Sequence, residues 1–531
     1  MHTAYKQNFP IHVAVSIEPY YVNIKSRFIL LLIVSAIASS TTPVNMDKLD
    51  AEELLKKDNC VKYDSTQKLI SVHCESVHLT DIYNNLSGTG ALVVENSNDQ
   101  SHNNADNHAK VWILNSGIVI DKNSSLIIDS KDTSWLKITA TPTMQLKQQG
   151  ANNTNEETTF SNSEDTIISD DTRINENAQN MSNINSLKDG TLVVSKHNGD
   201  NPNGIHVHGS LVIDSVKITS WDPGKKKVID FGFGKRPGEE HTKSDYDTAE
   251  PRGFIRVSKD ATGTTNITNS EIAYLGYSCS RCAGLSYYGG DGSIIKNSDI
   301  HHLLKGYYSK NMGHMLIEGN KFHDNYLYGI DPHTGTHDLV IRNNKVYDNN
   351  ASGIICSKDC YNLLIEGNEV YRSGGVGRGI AFSINTSNSI ARNNDVHDNE
   401  RCISFNRESN NNLVYNNTIS NCNFGIYLSN TSRNSIESNS ITHSDYGIVM
   451  KQVTSNDIMN NSIHTTKTAI MMINKNANKS NDTNLNIKSI SGNEIDLYLD
   501  GVVSTNKLLD VSTPSLIDTG KIKGLQDLVA P

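Results

Sequence analysis

The sequence predicts an all-β chain folded as a right-handed parallel β-helix, a solenoid with coils of 22–26 residues, on three observations. First, short phrases such as Glu318-Gly319-Asn320 and Arg342-Asn343-Asn344 recur. Aligned on their last residue they give Asn297, Asn320, Asn344, Asn368, Asn394, Asn417, Asn439 and Asn461, spaced 22 to 26 residues apart. A period in the twenties is the mark of a stacked solenoid. Second, each asparagine is followed two residues later by an apolar residue, such as Phe322, Val346, Val370, Val396 or Ile419, and then by a second short strand. Those second strands begin Gly329-Ile330, Gly353-Ile354, Gly379-Ile380, Gly425-Ile426 and Gly447-Ile448. Third, hydrophobic residues make up only 36% of the chain and aromatics 6%, which suits a thin regular core and not a thick α/β interior. The leucine framework of leucine-rich repeats is absent. Asparagine tolerates the left-handed conformation that a sharp corner needs, and equivalent asparagines in successive coils can stack as a hydrogen-bonded ladder.

Along the chain, Lys25 and Arg27 precede the apolar run Phe28 to Ala38, which reads as a secretory signal within residues 1–44. The run is too short to span a bilayer comfortably. Residues 45–109 form an N-terminal cap region, with a short amphipathic helix expected over 45–58. Residues 110–146 hold the first irregular coils. Residues 147–187, rich in Asn, Ser and Thr with little apolar periodicity, read as a disordered insertion. Residues 188–505 form the β-helical body, interrupted by a second long loop at 224–250, and 506–531 form a C-terminal cap or tail. Eight cysteines suit an oxidising compartment. Cys60 and Cys74 can pair across a hairpin, whereas the Cys279-x-x-Cys282 pair lacks the second half that a metal or redox site requires. Sequons at Asn85, Asn123, Asn152 and Asn180 fit a secreted or cell-surface protein.

The formal net charge of −10 argues against a nucleic-acid partner. A binding groove for an anionic polymer would therefore have to be basic against the overall sign. Stacking the second strands shows where such a groove lies. Residues 329–333 fall over 353–357 and 379–383, with 306–310 in the coil before. Strand side chains alternate faces. With Ile330, Ile354 and Ile380 inward, the outward column holds Tyr308 and Lys310, Asp331 and His333, Ser357, then Ser383, with Lys358, Arg378 and Tyr328 adjoining. Pro332 cannot donate a ladder hydrogen bond. A costly break in a regular coil beside an Asp–His pair is where a site is expected.

At these residues the chain resembles the mannuronan (alginate) C5-epimerase family, most closely its periplasmic type. Tyr328-Gly329-Ile330-Asp331-Pro332-His333 is similar to the family's signature, and three further phrases agree: 219–222, 269–277 and the coil ending at Lys358. The resemblance covers residues 110–475. It implies that His333 removes the C5 proton, that Tyr328 or a water returns one to the opposite face, and that Asp331 orients the site. Lys358 stands where the periplasmic enzymes place an arginine that neutralises the sugar carboxylate, and Thr334 stands where they place a second acid. Lysine keeps the charge but loses the bidentate fork. Tyr308, Lys310, Ser357 and Arg378 are the expected substrate-binding residues.

The implied function is an isomerase, a polyuronate C5-epimerase converting mannuronate to guluronate in an alginate-like polymer. The alternatives are a polysaccharide lyase acting by β-elimination on the same fold, or a non-catalytic cell-surface glycan-binding β-helix. No cofactor is expected to be required and no metal ligands are assigned, since calcium-binding nonapeptides and a His/Met/Cys cluster with ligand spacing are both absent from the pattern. The expected partner is an acidic polysaccharide, and the chain is expected to act as a secreted monomer without stable membrane insertion. N-terminal sequencing of the mature protein is expected to begin just after Ala38, and retention of Phe28 to Ala38 would instead mark an anchor.

Overall fold

The computed structural model describes residues 60–518 apart from 96–108, 141–202, 231–250, 278–280, 375–376, 475–482 and short breaks beyond 493. The expected signal, the helix at 45–58 and the insertion at 147–187 lie outside the described residues. What is described is a right-handed β-solenoid of about 12 turns. One coil shows the plan. Ile330–His333 lies on a first sheet, a turn leads to Val340–Arg342 on a second, a corner leads to Lys345–Tyr347 on a third, and the chain returns at Ser352–Cys356. The strands of this coil pair in parallel with their equivalents in the next, as Val340 with Leu364 and Lys345 with Glu369.

The strands are short because each coil needs few inward residues. Ile317, Ile341 and Ile365 fill the second sheet's column, Phe322, Val346 and Val370 the third, and Tyr307, Ile330, Ile354 and Ile380 the first, all completely buried. Each such side chain contributes about 1.5–3 kcal/mol of burial. A core only a few residues wide explains the low apolar fraction.

The corner between the second and third sheets uses two residues with separate tasks. The first is left-handed: Gly319, Asn343, Gly367, Asn393, Asn416, Ser438 and Asn460 have φ between 52° and 68°. The second is the buried ladder residue that follows each, from Asn320 to Asn461. Thus it is the preceding residue, and not the ladder asparagine, that takes the strained backbone. Asn297 belongs to the first class (φ 51°), and Ser298 holds the ladder position, its N–H donating to Asn320 Oδ1 at 2.9 Å. Asn368 shows the full pattern. Its Oδ1 accepts from the N–H and Nδ2 of Asn344, while its Nδ2 donates to Asn394 Oδ1 and to the Ile341 carbonyl, all at 2.9–3.0 Å. The carboxamide's whole donor and acceptor capacity is used.

Outside the third sheet, His301, His323, Tyr347, Tyr371 and His397 stack at 4.8–5.2 Å, one ring per coil. Burial opposes charge on His323, but hydrogen bonds to Asp299 and Asp324 outweigh it and lift its pKa to about 9. At the N-terminal end, Val61–Asp64 pairs antiparallel with Leu69–Val72, and Cys60 and Cys74 are disulfide-bonded across that hairpin, as expected. The cap also carries a helix, Leu79–Asn85, with Leu79 and Ile82 inward, that the sequence pattern did not reveal. At the other end, parallel pairing continues through Ile495–Gly501 to Leu516–Asp518, beyond the last clear repeat phrase. No helix among the described residues is long and apolar enough to cross a membrane.

Asn368→Ala should cost roughly 3–5 kcal/mol in denaturant unfolding, because it leaves several buried groups without partners. Asn343→Gly, which keeps the left-handed corner, should change stability by less than about 1 kcal/mol.

Candidate functional site

The outer surface of the first sheet differs in charge from the other two faces. On the second and third sheets, cations and acids pair from coil to coil: Lys296 and Arg342 with Glu318, Arg392 with Glu366, Lys345 with Glu369, Arg372 with Asp348. From Ile255 to Asn474, the described strands of the first sheet contain Arg256, Lys305, Lys310, Arg378, Arg401 and Lys451 against one carboxylate, Asp331. A chain of net negative charge thus presents one basic face.

The strand register assembles the site on that face. Tyr308 lies beside Asp331 and Lys310 beside His333. Ile330 lies beside Ile354, so Ser357 occupies the next position of the His333 column. The expected column is therefore present. Gly329 precedes it, where a Cβ would come within 2.7 Å of the Gly353 carbonyl, so the backbones can close only over glycine. Pro332 interrupts the ladder as expected. Only the Ile330–Ile354 pair is registered between these two strands, whereas four pairs join Ile330–His333 to the preceding strand. The Pro332 carbonyl still accepts the Ser357 N–H at 3.1 Å.

Asp331 is not a groove-exposed carboxylate as its outward parity suggested. It is completely buried, with Oδ2 3.2 Å from Lys305 Nζ and Oδ1 accepting the Ser357 hydroxyl at 2.6 Å. Lys305, which the sequence reading did not single out, is itself 7% exposed at its side chain. Its ammonium lies 4.4 Å from the Tyr308 ring centre and 5.5 Å from that of Tyr328. The long lysine stem covers the carboxylate, so the alternation of faces is kept while exposure is lost. In the low dielectric of this site an ion pair of this kind is strong but costly to break.

His333 is partly exposed, 5.5 Å from Tyr308 between ring centres. Its Nδ1 is within 2.7 Å of the Thr334 hydroxyl and 2.9 Å of the Thr334 N–H. Lys358 is exposed in the turn after Ser357, a turn closed by a Cys356–Cys360 disulfide. Arg378 sits on the other flank of the groove. Its strand register stacks Ser352, Arg378, Arg401 and Phe424, and the Arg401 guanidinium lies 4.3 Å from the Tyr427 ring centre. Further along the same face, Asn406, Arg407, Tyr427, Ser429 and Lys451 line a cleft of about 310 Å³. At the opposite end, burial and the neighbouring Arg256 hold His206 at a pKa of about 3, so its neutral ring sits 2.8 Å from the Arg256 guanidinium.

Residues 255–417 match the family model for the right handed beta helix region, and residues 355–496 match that for the periplasmic copper-binding protein NosD. Mannuronan C5-epimerase of Pseudomonas aeruginosa is 28% identical over 144 residues, 25% of this chain and 24% of that protein. The enzyme of the same name from Pseudomonas fluorescens is 28% identical over 145 residues with the same shares. The chain thus spans about a quarter of the length of the curated relatives it matches. A crystal structure of a double mutant of the periplasmic alginate epimerase AlgG has a TM-score of 0.52 at 17% identity, covering 92% of this chain and 99% of that one. That likeness is one of fold. The chain is a right-handed β-helix with mannuronan C5-epimerases among its homologues.

Lys305→Met should destabilise the protein by roughly 3–5 kcal/mol by leaving the Asp331 charge buried without its ammonium. Adding Asp331→Asn should recover much of that loss in chemical denaturation, and a purely additive double variant would contradict the coupling.

Proposed function

We propose that this protein is a polyuronate C5-epimerase, turning mannuronate into guluronate residues within an alginate-like acidic polysaccharide. The observation that carries the reading is the basic first-sheet groove, in which His333 stands beside the buried Lys305–Asp331–Ser357 cluster. A polymer of carboxylates is drawn to such a face by the local field, whatever the net charge of the chain.

A uronate C5–H is weakly acidic while its carboxylate keeps full charge. A cation on that carboxylate stabilises the aci-carboxylate formed as the proton leaves. Lys358, in the exposed turn one coil from His333, supplies that charge, and Lys310 and Arg378 hold flanking sugars. His333 takes the proton, its ring held by the contacts of Nδ1 with the Thr334 N–H and hydroxyl. Tyr328, which precedes the strand carrying His333, delivers a proton to the opposite face of the sugar. Tyr308 and Ser357 line the groove between them, and Asp331 works from beneath, fixing Lys305 and Ser357. A threonine hydroxyl supports an imidazolium less than a carboxylate does, so turnover is slower than with an acid at position 334. The mannuronan C5-epimerase homologues support an enzyme of the isomerase class, and the match to a periplasmic family model supports a secreted or otherwise extracytoplasmic setting. The cation count of the groove supports an anionic substrate.

His333→Gln should fold normally and lose about 10²–10⁴-fold in deuterium incorporation at C5 of polymannuronate in ²H₂O, read by proton NMR. Unsaturated, ultraviolet-absorbing chain ends would signal β-elimination instead. Polymer binding without exchange in the wild type would leave only a glycan-binding role.

A further inference from the structure

After the strand that carries His333, the chain turns toward the second sheet through 334–339, and this turn stacks on its neighbours as a column of its own. Parallel bridges join Gly313 to His337 and His337 to Tyr361, so His314, Asp338 and Asn362 follow in register. All three of these have left-handed backbones, with φ of 56°, 52° and 57°. The corner therefore points His314 and the His337–Asp338 pair at one another from adjacent coils.

We propose that His314, His337 and Asp338 form a divalent-metal site on this turn, selective for a borderline-soft first-row ion such as Zn²⁺ or Cu²⁺. One donor atom from each of the three lies within 4.8 Å of the others. The groups are held in place by neighbours. The His337 ring stacks on Tyr361 at 4.8 Å and 12° and meets His314 edge-on at 5.7 Å. Asp338 Oδ2 is 2.7 Å from His337 Nδ1, and its Oδ1 accepts from Asn362 Nδ2 at 3.1 Å. Of these contacts, those from Tyr361 and Asn362 come from outside the ligand set, the kind that orients ligands in metal sites.

The same His–Asp contact recurs at His323–Asp324 and His397–Asp398, each at 2.7 Å. There it serves a different end. His323 has Asp299 at its other nitrogen, and the two carboxylates favour its protonated form, which opposes ligation. At His337 the neighbouring coil brings a second imidazole where His323 meets a carboxylate. Two imidazole nitrogens and one carboxylate oxygen suit zinc or copper and not calcium or magnesium, which take oxygen ligands. The donors must draw together to reach bonds of about 2.0–2.1 Å. His314, exposed on the turn, has the freedom to do so. None of these residues has a role in the proton transfers proposed for the groove, so the two readings stand or fall separately.

The test uses the full chain purified without a polyhistidine tag. Titration calorimetry with Zn²⁺ should show a site whose affinity falls tenfold or more in His314→Ala and in His337→Gln, with thermal melting confirming that both variants fold. Cu²⁺ loaded at one equivalent should give electron paramagnetic resonance with two-nitrogen superhyperfine structure, reduced to one nitrogen in His314→Ala. No binding by the wild type, or affinity and spectra unchanged in His314→Ala, would overturn the proposal.

Discussion

The constraint on which the rest of this structure depends is that a buried corner must satisfy its own polar groups at every coil. A backbone that turns sharply inside a parallel stack directs N–H and C=O groups away from any strand partner, and water cannot reach them. The carboxamide ladder from Asn320 to Asn461 resolves this by matching two donors and two acceptors to the coil above and the coil below. Because each asparagine bonds to the next, the rise per coil is held at one strand spacing along the stack. Every other column inherits that spacing: the isoleucines inside, the rings outside the third sheet, and the charges on each face.

That inheritance is what makes a groove possible. A solenoid repeats whatever it carries at a given position, so a face becomes basic by repeating cations and neutral by alternating signs. The second and third sheets alternate and the first does not. Asp331 is the exception that the first sheet accommodates, and it does so by burying the acid under Lys305. Among the described strands of this face, the groove floor is thus polar, and its one carboxylate is withdrawn from an approaching polyanion.

Much of this was legible in the sequence, because a repeat lets coils be aligned by eye. The strands, the inward isoleucines, and the column of Tyr308, Lys310, His333 and Ser357 all follow from the period and from side-chain alternation. What was not legible depends on lateral reach or on offsets of one residue. Lys305 opens its strand and reads as an ordinary surface lysine, and only its long stem folding over the neighbouring coil reveals its partner. The ladder was placed one residue early at Asn297 because left-handed and ladder positions are adjacent and both favour asparagine. His314 and His337 were passed over because they lie 23 residues apart, a separation that resembles no metal motif. In a stacked coil that separation is a single step. The helix Leu79–Asn85 breaks the period altogether, and a method built on repetition has no signal there.

The hairpin at the N-terminal end has a consequence for assembly. A parallel stack ends in a strand whose outer edge is open to another strand in the same direction, and an uncovered edge of that kind invites copies to join end to end. Here the outermost strand of the first sheet, Val61–Asp64, runs the opposite way to Leu69–Val72, and the disulfide between Cys60 and Cys74 holds it there. The same strand carries the exposed charges of Lys62 and Asp64. Within the described residues, a fold that grows by adding parallel strands thus ends on a strand of reversed direction, pinned by a disulfide.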